Sequence, residues 1–252
     1  MNGQTTAARA HRLEDDRREM SAKMEEIEKE ALRERTATVL QRLTEAYGAD
    51  SWNWHTQQTP FQILIGVVLS QRTKDENTDK AAKALFAKLP TPQAIATASV
   101  EEIEPLIAPS MYFHTKALRI KEISEILLER HGGETPESIE ELLKLPGVGL
   151  KTASCVMVYG FGKPAIPVDA HVHRISNRLG IIQTKTPDES EKALWEVTPA
   201  DGVMHINMLM VKHGQSTCRP VSPKCGQCNV TDLCDYFRAL PSSGDGKESR
   251  SR

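Results

Sequence analysis

No stretch of the 252-residue sequence is long and apolar enough to suggest a membrane-spanning helix, and its charged first residues lack the apolar core of a secretory signal. An intracellular protein is expected, and in a reducing compartment its five cysteines are not expected to pair as disulfides. Aromatic residues make up only 5% of the chain, and no run alternates apolar with polar residues as a half-buried strand would. An excess of one charge is also missing. The 32 basic and 34 acidic residues leave a formal −2, so any nucleic-acid partner would have to meet a local basic face. What remains, 39% hydrophobic and 26% charged, suits a soluble and largely helical chain with room for one large or two modest domains.

From Arg9 to Arg35 acidic and basic residues alternate with little apolar content, which reads as a solvated helix or a disordered extension without chemistry of its own. Its acids argue against a mitochondrial presequence. Helix signals follow in close order. Val39, Leu40, Leu43 and Ala46 recur at helical spacing before Gly48. Trp52 and Trp54 read as packing residues of the next loop. Thr59-Pro60 opens a nearly all-apolar run from Phe61 to Leu69, expected at the centre of a core. Thr73 and Glu76 have capping-box spacing before Thr78 to Leu89. Thr91-Pro92, Ser99 with Glu102, Phe113 to Arg130, Thr186-Pro187 and Gly202 to Val211 supply five more helices, with Pro105 expected to distort or shorten one. The fold reads as all-α. The polar stretch from Ser70 to Thr78 is accounted for by solvation, and the same position would suit Gln71 or Arg72 as a wedge replacing an extruded base.

Two stretches carry chemistry. In the first, Thr135-Pro136 opens a short helix from Glu137 to Lys144, Pro146 stops it, and Gly147 and Gly149 allow a tight reversal around Val148. A second helix begins near Leu150 and runs to Tyr159. Free N–H groups at its start form an anion site suited to a nucleic-acid phosphate. Lys151 lies in that first turn, where the helix dipole should favour the neutral amine, which can attack a sugar C1′ to form a Schiff base. Taken alone, Lys151 reads as a phosphate clamp and Asp169 as the N-cap of a helix from Ala170 to Leu179. In the second stretch Cys218, Cys225, Cys228 and Cys234 are spaced C-x6-C-x2-C-x5-C. Four thiolates so close need a shared partner, and the unequal outer spacings favour [4Fe–4S] over a structural zinc. Cys155 reads as a buried core residue.

The run Leu145-Pro146-Gly147-Val148-Gly149-Leu150-Lys151-Thr152-Ala153, the run Val168 to Arg174 and the four-cysteine loop together resemble the endonuclease III family of DNA glycosylases, in the helix–hairpin–helix superfamily. His213-Gly214 and Leu69-Ser70 fit the resemblance, which covers about Thr36 to Tyr236. It implies a six-helix domain at 59–164 and a cluster domain from 36–58 with 165–238, flanked by a charged extension at 1–35 and a disordered tail at 239–252. DNA would lie in the cleft between them. It further implies Lys151 as nucleophile, Asp169 as its electrostatic partner and Cys218, Cys225, Cys228 and Cys234 as ligands of a [4Fe–4S] cluster. DNA contacts are expected from Gln71, Arg72, Pro146, Gly147, Val148, Gly149 and Lys151, with Arg219 and Lys224 on the cluster loop. The implied activity is that of a monomeric glycosylase and abasic-site lyase, acting on double-stranded DNA with damaged, oxidised pyrimidines.

Two departures stand out. Gln71-Arg72 replaces the family's usual Ala-Gln or Ser-Gln, and Met111 stands where the family's loop reads glycine. A uracil- or thymine-mismatch glycosylase fits the same motifs. An adenine-mismatch enzyme would lack the lysine, and Lys151 with Asp169 argues against a non-catalytic DNA-binding protein or an electron carrier.

Overall fold

The computed structural model describes residues 3–48 and 58–241, so Trp52, Trp54 and the tail beyond residue 241 lie outside it. All regular structure among the described residues is helical. Helix α1, Gly3–Tyr47, joins the charged extension and the following apolar segment into one rod. Side chains 17–28 are all exposed, and Lys29 bonds Glu196 of the body.

Two apolar cores follow one another along the chain. The first gathers buried side chains between Phe61 and Ala165. At its centre is α2, Pro60–Ser70, whose run from Phe61 to Leu69 buries every residue but Gln62. Thr59 and Gln62 close a capping box, which fixes where that helix starts. Around it stand α3 (Asp75–Lys88), α4 (Pro92–Thr97), α5 (Val100–Ile107), α6 (Phe113–His131), α7 (Ile139–Leu142) and α8 (Leu150–Cys155). A π-helical turn, Val156–Gly160, continues α8 and packs against α2. The second core takes Val39, Leu40 and Leu43 from α1 and buried residues between Ile166 and Val230. Its helices are α9 (Ala170–Leu179), α10 (Pro187–Val197) and α11 (Ile206–Ser216), with the short α12 (Asp235–Arg238) behind the cysteine loop. Arg35 bonds Leu233 O and Asp235, and Arg42 bonds Asp232 Oδ1 at 2.7 Å, so α1 clamps that loop from behind.

The structure corrects three details of the sequence reading and bears out the early end expected at Pro105. Ser138, whose Oγ accepts from Glu141 N, caps α7, so the helix before the hairpin covers 139–142 and not 137–144. Thr73 caps nothing: α3 begins at Asp75 without a side-chain cap, because the Thr73 hydroxyl is bonded to Lys116 and Gln71 O instead. Pro105 lies inside α5, which ends two residues later. The Gly202–Val211 helix starts only at Ile206, after a run of turns.

Candidate active site

The hairpin between α7 and α8 is built by its glycines. Gly147 has φ +71°, a conformation that disfavours any residue with a Cβ, and the Arg119 side chain packs across it where a Cβ would stand. The turn closes through Val148 N–H to Leu145 O at 3.2 Å, and the Val148 side chain is buried in the first core. Gly149 then begins α8, with open space where a Cβ would stand. No side chain caps α8, in contrast to Thr59, Thr91, Ser99, Ser138, Asp169 and Thr186 at six other helices. Its first N–H groups are therefore available to an anion.

Lys151 is half-buried in the first turn of α8, and one turn later its amine meets the fully buried Cys155 thiol. Burial pushes that thiol up, the Lys151 ammonium pulls it down, and the Asp169 carboxylate pushes it up again. The thiol thus feels both charged groups at once. A further turn on, burial drives Tyr159 well above the usual phenol range, and Cys155 and Asp169 add to the shift. Tyr159 Oη donates to Asn207 Oδ1 at 2.7 Å, and Asn207 Nδ2 donates to Pro167 O at 2.7 Å. This buried chain ties the lysine's helix, in the first core, to the segment that carries Asp169 into the second. Asp169 Oδ1 accepts from His171 N at 2.8 Å and Val172 N at 2.9 Å, so the residue is the N-cap of α9 as expected. Both bonds fall on Oδ1.

Helix α9 also grips the cysteine loop. Arg174 Nη2 donates to Cys218 O at 2.9 Å, and Arg178 donates to Arg219 O at 2.7 Å, Pro220 O at 2.8 Å and Cys218 Sγ at 3.4 Å. Cys218, Cys225, Cys228 and Cys234 line one cavity with Ile175, Leu179 and His213. Among the described residues no three His, Cys, Asp or Glu side chains converge tightly enough for a single metal ion. A zinc would need all its thiolates within about 2.3 Å of one point. Cysteines spread around a shared cavity fit a cubane, whose ligands sit on four separate irons. Arg178 beside Cys218 would offset the cluster's negative charge. Arg219 and Lys224 are exposed on the same loop.

The remaining expected contacts lie beyond the C-terminus of α2. Gln71 Nε2 donates to Gly147 O at 3.0 Å, so its amide is tied to the hairpin. Arg72 is exposed and left-handed, at φ 55°. Arg119, Lys116, Met111 and Tyr112 surround this loop, and the sequence had singled out only Met111. Nothing in local spacing marks the others, which come together only when α6 crosses α2.

This arrangement has relatives. A profile of the HhH-GPD superfamily of base excision DNA repair proteins matches residues 65–200, which sets the class. The chain belongs to the endonuclease III family. A second profile, the iron–sulfur binding domain of endonuclease III, matches residues 218–234, and the cofactor of this chain is a [4Fe–4S] cluster. The chain is 52% identical to endonuclease III of Thermotoga maritima over 73% of its own length and 86% of the relative's. It is 38% identical to the Escherichia coli protein over 71% and 84%. Among solved structures, a trapped endonuclease III–DNA covalent intermediate superposes with a TM-score of 0.76 at 33% identity, covering 82% of this chain and 97% of that one. A thermostable thymine-DNA glycosylase superposes at 0.73 and 26% identity, covering 81% and 97%.

Proposed function

We propose that the chain is a DNA glycosylase and abasic-site lyase of base excision repair that removes oxidised pyrimidines from duplex DNA, acting as a monomer. What supports this reading is that the buried Cys155 thiol is influenced by both the Lys151 amine and the Asp169 carboxylate, which brings a nucleophile and an electrostatic partner into one neighbourhood. The helix of the lysine belongs to the first core, and the carboxylate and the cysteine loop belong to the second. DNA lies across the seam, its phosphates on the uncapped start of α8 at Pro146 to Lys151 and on Arg219 and Lys224.

The chemistry follows from these groups. The target nucleotide leaves the stack, because no side chain reaches C1′ inside a duplex. As the N-glycosidic bond breaks, its electron pair goes to the base, which takes up a proton, and the sugar gains oxocarbenium character that Asp169 stabilises. Lys151, as the free amine, bonds C1′, and the sugar ring opens to a Schiff base. Loss of a 2′ proton then expels the 3′ phosphate by β-elimination. Cys218, Cys225, Cys228 and Cys234 hold the cluster, whose part is to order the loop that carries Arg219 and Lys224.

A lesion panel tests the assignment. Duplexes with dihydrouracil or thymine glycol should be excised and nicked, and those with normal pairs should not. Excision confined to thymine or uracil opposite guanine would instead favour the mismatch reading to which the thymine-DNA glycosylase likeness points. No excision on any member would refute the proposal.

A further inference from the structure

Four oxygens from two separate loops surround the ammonium of Lys116, which is 3% exposed and has no carboxylate among its partners. Nζ lies 2.6 Å from Leu69 O, 2.7 Å from Gln71 O, 2.9 Å from Ser110 Oγ and 3.0 Å from Thr73 Oγ1, so its three hydrogens are shared among four acceptors. Leu69 lies in the last turn of α2 and Gln71 just follows it, so the negative end of that helix compensates the charge. The same atoms also bond one another across the loops. Ser110 Oγ donates to Leu69 O at 2.8 Å, and Met111 N–H donates to Thr73 Oγ1 at 3.1 Å.

A lysine that merely capped α2 would need only the carbonyls at that helix's end. Lys116 also holds the hydroxyls that cross-link residues 69–73 to 110–111. The exposed side of the joined loops combines strained backbone with one charged and two large hydrophobic side chains. Arg72 and Tyr112 are left-handed, at φ 55° and 58°, and Met111 and Tyr112 are 53% and 57% exposed. On the inner side, Gln71 Nε2 reaches Gly147 O of the hairpin, and Arg119 Nη1 reaches Gln71 Oε1 at 3.4 Å.

We infer that Lys116 is a positioning residue for base extrusion: its ammonium locks the two loops into one platform that presents Arg72, Met111 and Tyr112 to the duplex. Gln71 registers the platform against the phosphate-binding hairpin. A rigid platform enters the stack without first having to order itself, so the binding energy goes into unstacking the target. The inference rests on the glycosylase reading, since only an enzyme that must empty the stack has use for such a platform.

The test compares two single-turnover rates on one duplex sequence: excision of a paired dihydrouracil, and strand cleavage at a preformed abasic site, where no base remains to be extruded. In Lys116→Met and, separately, Thr73→Val, excision should fall about tenfold or more relative to abasic-site cleavage, the scale set by sub-ångström misplacement. The deficit should shrink when the dihydrouracil faces a mismatch that already loosens it. Equal losses on both substrates, or no loss on either, would overturn the inference. Should Lys116→Met fail to fold, Thr73→Val decides alone, because it removes one hydroxyl and keeps the branched shape. If the unaltered chain acts on neither substrate, the glycosylase reading has failed before any variant is compared.

Discussion

Asp169 caps α9 and, in the proposed reaction, also stabilises the developing oxocarbenium, and the two roles can be separated. Oδ1 caps α9 through the amides of His171 and Val172, while the proposed electrostatic role needs only the charge. Asp169→Asn keeps an oxygen where Oδ1 stands. Because Asn caps as well as Asp, only the dipole interaction of the charge is lost, about 0.3–1 kcal/mol. Asp169→Ala loses the cap as well, a further ~1 kcal/mol. Transition-state stabilisation, in contrast, is lost equally in both. Removing one preorganised electrostatic group costs about 2.7–4 kcal/mol of barrier, or roughly 100- to 1000-fold in rate. Urea unfolding should therefore rank the parent, Asn and Ala variants in three steps, while single-turnover base release drops by roughly 100-fold or more in both variants alike. A purely structural Asp169 would show the same stability ranking with base release near that of the parent. If Asp169→Asn releases base within about fivefold of the parent, the electrostatic role assigned here is wrong.

Other expectations follow from the same geometry. Gly149→Asp meets open space at an ordinary φ of −97°, so stability should change by no more than about 0.5 kcal/mol. Duplex affinity should nevertheless fall for every sequence, as fluorescence anisotropy across a salt series would report; unchanged affinity would remove the hairpin from the DNA interface. Tyr159→Phe leaves Asn207 Oδ1 buried without its donor and should cost about 1–3 kcal/mol at neutral pH. The raised phenol contributes stability that is fully present below its unfolded value near 10 and is lost as pH rises further, so the gap to the parent should narrow in alkali. A gap independent of pH would contradict the burial argument. Protein purified without oxygen should be brown and hold about four irons, and Cys228→Ser should lose iron and stability together; colourless protein with one zinc would refute the cluster.

The parts of the molecule that were legible in its sequence are those fixed by neighbours in the chain. The Thr-Pro pairs at 59, 91 and 186 and the Ser99–Glu102 box mark helix starts because the cap is bonded within three residues. The hairpin is legible because glycine's conformational freedom belongs to single residues, and the cysteine spacing because four thiolates within 17 residues must share one partner. What was hidden is made by crossings. Thr73 has the spacing of a cap, yet Lys116, 43 residues away, takes its hydroxyl. Cys155 reads as a core cysteine and is one, and its contact with Lys151 is an i, i+4 pair on one helix, but its proximity to Asp169 depends on how the two cores meet. Tyr159 and Asn207, 48 residues apart, bridge the two cores with no local signal at either end.

The central claim is that the Lys151 amine becomes covalently bonded to the sugar. Borohydride added during turnover on a dihydrouracil or abasic duplex should reduce the Schiff base and trap a protein–DNA adduct of stable mass. Lys151→Gln keeps a polar side chain of nearly the same reach, so it should fold, bind duplex within a few-fold of the parent and yield no adduct. Peptide mapping of the parent adduct should place the DNA remnant on Lys151. An adduct that persists in Lys151→Gln, or one mapped to another lysine, would contradict the account at its centre.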